Sequence, residues 1–295
     1  MDKPVFPVHH ERIASRCVCC GSYALDKSPA ILMPFVAHRV FGWRPVEITD
    51  DWGLKTINNG MAYSVCNSTL CKKCGHLFLD IRFTETEMNS LYDGYREHDY
   101  TELREKYEPD YKQRNDGLNY GVNYIDQIEE FLAPHLVFPV SILDWGGDTG
   151  KNTPFKTNNK LLHIYDISNK PEVVDGAKKI AKEVATDTYY DLIVCSNVLE
   201  HTPFPADIIL GIKDMMRPDT VLYVEIPLED IVRTCDSKDS LRNKKHWHEH
   251  INFYSEGSIR ALLHNAGLSV IDFKLLKANA GSNASWQQQI ACKLV

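Results

Sequence analysis

The hydrophobic positions in the second half of the chain fall into short apolar runs separated by amphipathic segments. Runs with the length of buried strands occur at 141–143, 161–165, 192–195 and 220–226. Between the last two runs, apolar residues recur at helical spacing, at Ile208, Ile209, Ile212 and Met215. Strands that alternate with helices predict an α/β fold, with a mostly parallel sheet and helices on both faces. Two final runs, 268–277 and 287–295, predict a C-terminal antiparallel hairpin.

The first half of the chain has a different pattern. Thr84, with Glu87 three residues later, predicts a helix that begins with a capping box and ends near Gly94. A second helix is predicted over 116–132, because large side chains share one of its faces, at Tyr120, Tyr124, Ile128 and Phe131. Upstream, residues 11–80 contain strand formers that predict a small β domain, among them Ile31, Val36, Val40, Phe41, Val46, Ile48, Tyr63 and Val65.

These patterns divide the chain into three parts. Residues 1–82 are predicted to form the β domain, 83–135 a helical, tyrosine-rich connector, and 136–295 the α/β domain. We expect most tyrosines of the connector to pack against both domains. The alternative is that one or two of them reach a functional site together with Arg104 or Arg114. Residues 228–246 are charged and lack periodicity, which predicts a loop or lid.

Composition narrows the class of protein. Of the 295 residues, 43% are hydrophobic and 25% are charged, as is usual for a soluble globular protein. No apolar run approaches the ~18 residues of a membrane span, and the N-terminus lacks the apolar core of a secretory signal. The net charge of −7 argues against a nucleic-acid backbone as the main partner. Nine cysteines without a signal predict reduced thiols in a cytoplasmic protein, rather than a disulfide scaffold.

Two cysteine motifs bracket the predicted β domain. Each has the form C-x-x-C-G, the first at Cys17 and Cys20 and the second at Cys71 and Cys74. Two such knuckles can supply four thiolates to a tetrahedral Zn²⁺, so a structural zinc site is predicted. The alternative is that these cysteines are buried free thiols. Cys19 and Cys66 are spare thiols that could substitute as ligands, and His76 is a weaker spare that we expect to be solvated.

A glycine-rich turn follows the first strand of the predicted α/β domain. It does not match G-x-G-x-x-G, because Asp148 and Lys151 stand where glycines are required, and it does not match a P-loop. It does match Asp-x-Gly-x-x-x-Gly, with Asp144, Gly146 and Gly150. Glycines in such a turn let the backbone approach a ligand closely. The next strand ends at Asp166, 22 residues after Asp144, where a carboxylate can reach a ribose diol.

With the run 189–227, which contains L-E-H, R-P and E-I-P, residues 141–295 resemble class I S-adenosylmethionine (SAM)-dependent methyltransferases. The resemblance implies a Rossmann-like fold and SAM as cofactor. It also implies that the loop glycines, including Gly147, face the methionine part of SAM, and that Asp144 orients the loop or contacts the methionine amino group. Asp166 would bind the ribose hydroxyls, and Ser196 and Asn197 would line the cofactor floor. The remaining cofactor-binding residues implied are Asp148, which puts an acid beside the cofactor, and Ile167.

The two cysteine knuckles, the connector and the segment HWHEHINFYS (His246–Ser255) are similar in order to those of zinc-bearing sugar methyltransferases, including deoxysugar C-methyltransferases. We therefore predict His250 as the catalytic base and Glu249 as its orienting or proton-accepting partner, since a histidine pKa near 6.5 suits proton removal. His246, His248 and His250 alternate, so an extended segment would place all three on one side, and metal-binding and structural roles stay open. His201 is expected to be structural, and Glu225 is another possible acid.

The predicted function is SAM-dependent methylation of a small polar acceptor, a nucleotide-activated or surface-glycan sugar, on oxygen or carbon. The alternatives are a non-catalytic scaffold that keeps the fold and the zinc module, or a methyltransferase acting on another small metabolite or on RNA. The combination of Gly146, Gly150 and Asp166 favours an enzyme, because a scaffold has no physical need for an open glycine floor beside a carboxylate. The sequence does not predict the oligomeric state.

Overall fold

The computed structural model describes residues 10–113, 115, 121–167, 173–234, 244–280 and 283–295. The first half of this described chain contains five strands and four helices of eight residues or more. In chain order they are β1 (Leu25–Leu32), α1 (Pro34–Phe41), β2 (Val46–Ile48), β3 (Gly60–Ala62), β4 (Val65–Cys71), β5 (Leu77–Leu79), α2 (Glu85–Tyr92), α3 (His98–Tyr107) and α4 (Ile125–Leu132).

The second half supplies the larger sheet. Its elements are β6 (Val140–Trp145), β7 (Asn159–Tyr165), β8 (Lys178–Lys179), α5 (Lys182–Thr186), β9 (Leu192–Ser196), α6 (Pro205–Met215), β10 (Val221–Pro227), α7 (Asp230–Arg233), β11 (His246–Trp247), β12 (Asn252–Phe253), α8 (Glu256–Asn265), β13 (Leu268–Ala280) and β14 (Asn283–Leu294). The short helix α7 lies inside the segment predicted as a loop or lid, whose residues 235–243 are outside the described residues.

The larger sheet has the strand order β13-β14-β10-β9-β6-β7-β8 among the described residues. The five strands from β10 to β8 are parallel, and β14 runs antiparallel to both β10 and β13. This mixed sheet confirms the prediction of an α/β fold. The strand order reverses between β6 and β9, and open α/β sheets bind ligands at the carboxyl ends of the strands at such a point.

Alternate residues of the central strand β9 contribute to cores on opposite faces of the sheet. Ile193 packs with a cluster that includes residues of α6 and α8. Its neighbours Leu192 and Val194 pack with a second cluster, which includes Ile128 and Phe131 of α4. Side chains of successive strand residues point to opposite faces, so a continuous apolar run is buried on both faces of the sheet. None of the described helices has the length and apolar character needed to cross a membrane.

The prediction of strands throughout the N-terminal region is wrong at α1. Val36, Val40 and Phe41 lie in this helix, which has Pro34 in its first turn and ends where Gly42 adopts a φ of 65°. A proline in the first turn presets the helical φ, and a glycine in the left-handed region ends a helix. Because Phe35, Val36 and Val40 are buried on one face, packing outweighs the strand preference of valine.

The connector begins as predicted. Thr84 Oγ1 accepts a hydrogen bond from the Glu87 N–H at 3.3 Å, and Glu87 Oε2 accepts one from the Thr84 N–H at 2.8 Å, which confirms the capping box. The second predicted helix is shorter than expected, since α4 begins at Ile125. Residues 116–120 of that prediction, with Tyr120, lie outside the described residues, as does Arg114.

A second sheet contains strands from both halves of the chain, in the order β11-β1-β4-β5-β12. β11 pairs parallel with β1, with His246 opposite Ile31, and β12 pairs antiparallel with β5, with Phe253 opposite Leu77. Both outer positions of this N-terminal sheet are therefore filled by the segment that carries the predicted base. A boundary at residue 82 does not describe this arrangement, because the β domain includes residues 246–253.

Arg82 joins the two halves. Its side chain is 1% exposed, and it donates hydrogen bonds to the carbonyl oxygens of Leu79, Thr202 and Pro203 and to Asn252 Oδ1, at 2.8 to 3.1 Å. Hydrogen bonds from a charged group are worth about 1.5–3 kcal/mol each, and an acceptor left buried without a donor is destabilising. The guanidinium therefore fixes the turn that follows β9 of the larger sheet to the N-terminal sheet.

We expect Arg82→Ala to lower the free energy of unfolding by about 3 kcal/mol or more, because it leaves buried carbonyl oxygens without donors. Urea denaturation measures the change. Arg260→Ala is the matched control: Arg260 pairs with Glu256 on the surface of α8, so we expect a change below about 0.5 kcal/mol. Equal midpoints for the wild type and Arg82→Ala would contradict this role.

Candidate functional site

The four predicted zinc ligands lie together. The Sγ atoms of Cys17 and Cys74 are 3.6 Å apart, those of Cys20 and Cys71 are 3.5 Å apart, and all four lie within 4.8 Å of one another. A tetrahedral zinc site with Zn–S bonds of about 2.3 Å has sulfur atoms separated by about 3.8 Å. The donor set and its spacing therefore fit a structural zinc ion.

The spare ligands do not join this group. Cys66 lies opposite Ala30 in the N-terminal sheet, and the described four-cysteine group does not include Cys19. The expectation that His76 is solvated is wrong: its side chain is fully buried, with ring centroids 5.1 Å from Phe78 and 4.7 Å from Tyr254. His76 therefore packs in the interior beside the second cysteine knuckle.

A cavity of 260 Å³ opens at the carboxyl ends of the parallel strands. The cofactor-binding residues that the sequence predicts line it with one exception, Gly150; those in its wall are Asp144, Gly146, Gly147, Asp148, Asp166, Ile167, Ser196 and Asn197. Residues of the N-terminal half and of the strand ends complete the wall, namely Met88, Tyr92, Tyr95, Arg96, Val122, Ile128, Asn152, Val194, Val198, His201, Thr202 and Glu225. The structure thus brings the predicted cofactor residues to one place.

The glycine loop packs too tightly to hold side chains. Gly146 has a φ of 82°, and a Cβ there would lie 2.4 Å from Val198 Cγ2. Gly150 has a φ of 77°, and its Cβ would lie 2.9 Å from Ile164 Cδ1. The left-handed backbone favours glycine at both positions. Gly146 keeps the loop open to the cavity, whereas Gly150 lets the loop pack against β7.

Two carboxylates mark the loop side of the cavity. Asp144 is buried and accepts a hydrogen bond from the Thr153 hydroxyl. Burial, with a contribution from the nearby Asp166 charge, raises the pKa of Asp144 to about 7. Asp166 Oδ2 accepts a hydrogen bond from the Asp148 N–H at 2.9 Å. This contact ties the end of β7 to the glycine loop, and it places negative charge where a ribose or an ammonium group can bind.

Glu225, the other acid suggested by the sequence, is 1% exposed at the end of β10. It accepts hydrogen bonds from the hydroxyls of Tyr124, Tyr223 and Ser196, at 3.0, 2.6 and 3.1 Å, and from Asn197 Nδ2 at 3.3 Å. Gln289 Nε2 also donates to it, at 3.5 Å, so the carboxylate acts as an acceptor that holds Ser196 and Asn197 in the cavity floor.

Two histidines meet beside the cavity. His201 lines the cavity, and its ring lies 4.6 Å from that of His250 and nearly perpendicular to it. His250 Nδ1 lies 2.8 Å from Glu229 Oε1, so this nitrogen donates to the carboxylate and Nε2 is left as the basic atom. His201 Nδ1 lies 2.9 Å from the Tyr92 hydroxyl. The sequence assigned His201 to a structural role, but the structure places it in the cavity wall.

The two histidines have opposite pKa shifts. Burial lowers the pKa of His201 to about 3, so its ring is neutral at physiological pH. Burial also disfavours the charged form of His250, but the hydrogen bond with Glu229 and the charge of Glu200 outweigh it and raise the pKa of His250 above its usual value. The pair therefore contains one ring that stays neutral and one that can take up a proton.

Glu249 has a different partner from the predicted one. Both of its side-chain oxygens lie 2.7 Å from Arg104 Nη2, and Arg104 also donates to Glu108 at 3.0 Å. Burial opposes ionisation, but the charge of Arg104 outweighs it and lowers the pKa of Glu249 to about 2. The structure thus gives the side-chain contact with His250 to Glu229, while the Glu249 carbonyl oxygen lies 3.2 Å from His201 Nδ1.

The three alternating histidines do not converge. His248 Nδ1 lies 3.4 Å from Glu108, His250 contacts Glu229, and His246 contacts His248 through its ring. Within the described part of the chain, two clusters of three possible metal ligands contain histidine, and neither includes His246: one is Glu200, His201 and His250, and the other is Glu108, His248 and Glu249. The alternation alone did not predict these partners, because His248 and His250 face carboxylates on different segments, Glu108 and Glu229.

The connector contributes more of the cavity wall than expected if its tyrosines only packed against the two domains. Tyr92 and Tyr95 line the cavity, in line with the alternative that one or two tyrosines reach the site. The arginine that accompanies them is Arg96, whereas Arg104 pairs with Glu249 outside the cavity wall. Sequence reasoning missed Arg96. The available signal was its position directly after Tyr95, just beyond the end of the first connector helix.

A parallel sheet with a glycine turn after β6 and a carboxylate after β7 defines a Rossmann-like protein that binds a nucleotide-type cofactor at the strand ends. A family model for the methyltransferase domain matches residues 92–272, and the chain belongs to this family. It is a SAM-dependent methyltransferase, as the motifs predicted.

Several solved structures are similar to this chain. The 1,6-didemethyltoxoflavin N1-methyltransferase of Burkholderia thailandensis, with bound S-adenosylhomocysteine, is 16% identical, with 65% of this chain and 88% of that chain covered and a TM-score of 0.46. The glycopeptide N-methyltransferase MtfA, complexed with sinefungin, is 9% identical, with 60% and 96% covered and a TM-score of 0.45. The magnesium protoporphyrin IX methyltransferase of Synechocystis PCC 6803 is 15% identical, with 62% and 86% covered and a TM-score of 0.42. No curated protein sequence matches.

Proposed function

We propose that this enzyme transfers a methyl group from SAM to an oxygen or carbon atom of a small polar acceptor, namely a nucleotide-activated or surface-glycan sugar. One observation carries the proposal: a single cavity joins the glycine loop and Asp166 to a wall made of tyrosine rings and His201. The wall has fixed hydroxyl, amide and carboxylate groups that can hydrogen-bond a polar acceptor.

The proposed cofactor roles are those that the sequence resemblance implies, and the loop geometry supports them. The backbone of Gly146 and Gly147 would face the methionine part of SAM, with Gly150 shaping the loop from behind. Asp144 would meet the amino group, and Asp166 the ribose hydroxyls. Asp148, Ile167, Ser196 and Asn197 would complete the cofactor side of the cavity. SAM, when bound, supplies a methyl group that is already activated as a sulfonium. The protein therefore has to position the acceptor and remove its proton.

His250 is the proposed base. Its Nε2 takes the acceptor proton, while Glu229 holds Nδ1 and stabilises the imidazolium that forms. His201, neutral and in contact with both the cavity and His250, orients the pair, and Tyr92 holds His201. Glu249 acts as a fixed anion that anchors the segment to Arg104, and its carbonyl oxygen positions His201.

The N-terminal part is proposed to hold a structural Zn²⁺ at Cys17, Cys20, Cys71 and Cys74, in the reducing environment of the cytoplasm. We propose the three segments 1–82, 83–135 and 136–295 as the zinc-binding, connector and methyltransferase parts of the chain. Residues 246–253 belong with the first segment in space. The zinc would therefore stabilise the sheet with which the base-bearing segment pairs.

Calorimetric titration of SAM tests the cofactor proposal. We expect one-to-one binding to the wild type, and a loss of affinity of about 10- to 100-fold in Asp166→Ala, because hydrogen bonds to a charged group are worth about 1.5–3 kcal/mol. Asp219→Ala, in an exposed turn, is the control and should bind SAM as the wild type does. Unchanged affinity in Asp166→Ala would overturn the ribose role. Absence of SAM binding to folded wild-type protein would overturn the proposed function.

A further inference from the structure

Arg96 occupies an unusual place in the cavity wall. It follows α2, and it adopts a φ of 63°, a left-handed conformation that non-glycine residues seldom adopt. Its guanidinium carbon lies 4.9 Å from the centre of the Tyr95 ring. Stacking on an aromatic face leaves the edge of the guanidinium, with its N–H donors, available to a ligand. The turn thus holds a stacked arginine beside the ligand space.

The charges around the cavity make Arg96 distinctive. The other charged side chains among the described lining residues are the carboxylates of Asp144, Asp148, Asp166 and Glu225, while burial keeps His201 neutral. Within the described part of the chain, no carboxylate forms a salt bridge with Arg96, and its Nε is buried without a hydrogen-bond partner. A buried donor without a partner costs about 1–3 kcal/mol.

We propose that Arg96 binds a phosphate group of the methyl acceptor, so that the acceptor is a phosphorylated or nucleotide-linked compound. This inference rests on the proposed function and narrows its substrate class. The planar guanidinium presents N–H donors in a geometry that matches phosphate oxygens, and arginine is preferred where such recognition is needed. The wall formed by α2 and Arg96 would then anchor the acceptor, and the glycine loop and its carboxylates would hold the cofactor.

SAM offers a competing anion, its own methionine carboxylate. The two assignments make different predictions, because a cofactor carboxylate is already present in S-adenosylhomocysteine. If Arg96 bound that carboxylate, its loss would weaken S-adenosylhomocysteine binding. If Arg96 binds the acceptor, its loss leaves cofactor affinity unchanged and weakens the binding of a phosphate probe.

The test is calorimetry at low ionic strength with Arg96→Gln. Inorganic pyrophosphate is titrated into protein that is free or saturated with S-adenosylhomocysteine. We expect pyrophosphate to bind the wild type and to bind Arg96→Gln at least 10-fold more weakly, with S-adenosylhomocysteine affinity changed by less than twofold. Arg260→Gln is the matched control, since it removes one surface charge on α8. Where Arg96→Gln fails to fold, Arg96→Lys gives the same comparison, with at least a threefold loss expected.

Three results would overturn the inference: no pyrophosphate binding by the wild type at millimolar concentration, equal weakening in Arg260→Gln, or a selective loss of S-adenosylhomocysteine affinity in Arg96→Gln. The last result would assign Arg96 to the cofactor. Failure of the proposed function is a separate outcome, since it would show as wild-type protein that binds no S-adenosylhomocysteine, whatever its response to pyrophosphate.

Discussion

Replacing His250 by glutamine is expected to lower kcat by about 100- to 10,000-fold, the range typical for loss of a general base. Glutamine keeps a polar side chain of similar reach but cannot accept the proton. Because His250 lies beside the cavity against His201, and within the described chain none of the proposed cofactor-binding residues contacts it, SAM affinity should change by less than about twofold. A methyl-transfer assay on the identified acceptor, with SAM calorimetry on the same samples, measures both quantities.

The control for this variant lies two residues away. His248→Gln removes a ring that faces Glu108, and we expect less than about a threefold change in kcat. A residual kcat above about one third in His250→Gln would show that another group removes the proton.

The same base defines a pH dependence. His250 must be neutral to accept a proton, and its pKa is raised above the usual value of about 6.5, so kcat should fall as pH drops below that raised pKa. Glu229→Gln removes a carboxylate that stabilises the imidazolium, which lowers the pKa of His250. The acidic limb of the kcat profile should therefore move to lower pH. A shift in the opposite direction would contradict the His250–Glu229 pairing.

Zinc removal is expected to have the second large effect, this time on stability. We expect about one zinc per chain, and Cys71→Ser should lose it and leave the N-terminal sheet unfolded. Binding of structural zinc contributes about 10–16 kcal/mol in zinc-finger peptides, as much as the entire stability of most domains, about 5–15 kcal/mol. Elemental analysis and thermal unfolding, with and without a chelator, measure the outcome.

Cys66→Ser is the matched control for the zinc prediction. Cys66 is also buried in β4 but is not part of the four-cysteine group, so the variant should keep its zinc and lose only about 1–3 kcal/mol from burying a hydroxyl. Wild-type protein that contains no metal and unfolds at the same temperature with a chelator would show that the cysteines are free thiols.

Features set by neighbours in the sequence were predictable. The capping box at Thr84 and Glu87, the buried strand at 192–195 and the glycine turn at Gly146 each depend on residues within a few positions of one another. Their physical causes act locally, through hydrogen bonds to the first turn, alternate burial and backbone conformation. The cysteine knuckles were predictable too, because the spacing within each C-x-x-C pair limits what the thiols can bind.

Contacts between distant segments could not be predicted. Glu229 contacts His250 and Arg104 contacts Glu249 only because α3 and the end of β10 pack against one short segment. No local pattern in the chain encodes that choice among several nearby acids. The helix α1 was missed for a related reason: tertiary burial outweighed the strand preference of Val36, and single-residue preferences do not report burial.

The two outer strands of the N-terminal sheet, β11 and β12, are synthesised long after the three strands between them. β1, β4 and β5 are complete once residue 79 has been made, but their outer neighbours end at residue 253. At about 5–20 residues per second, a ribosome needs roughly 9–35 s to make the chain between these points. During that interval both edge strands of the incomplete sheet lack their neighbours, and unpaired edge strands can pair with other chains. We expect the nascent protein to engage ribosome-associated chaperones until its base-bearing segment emerges and closes the sheet.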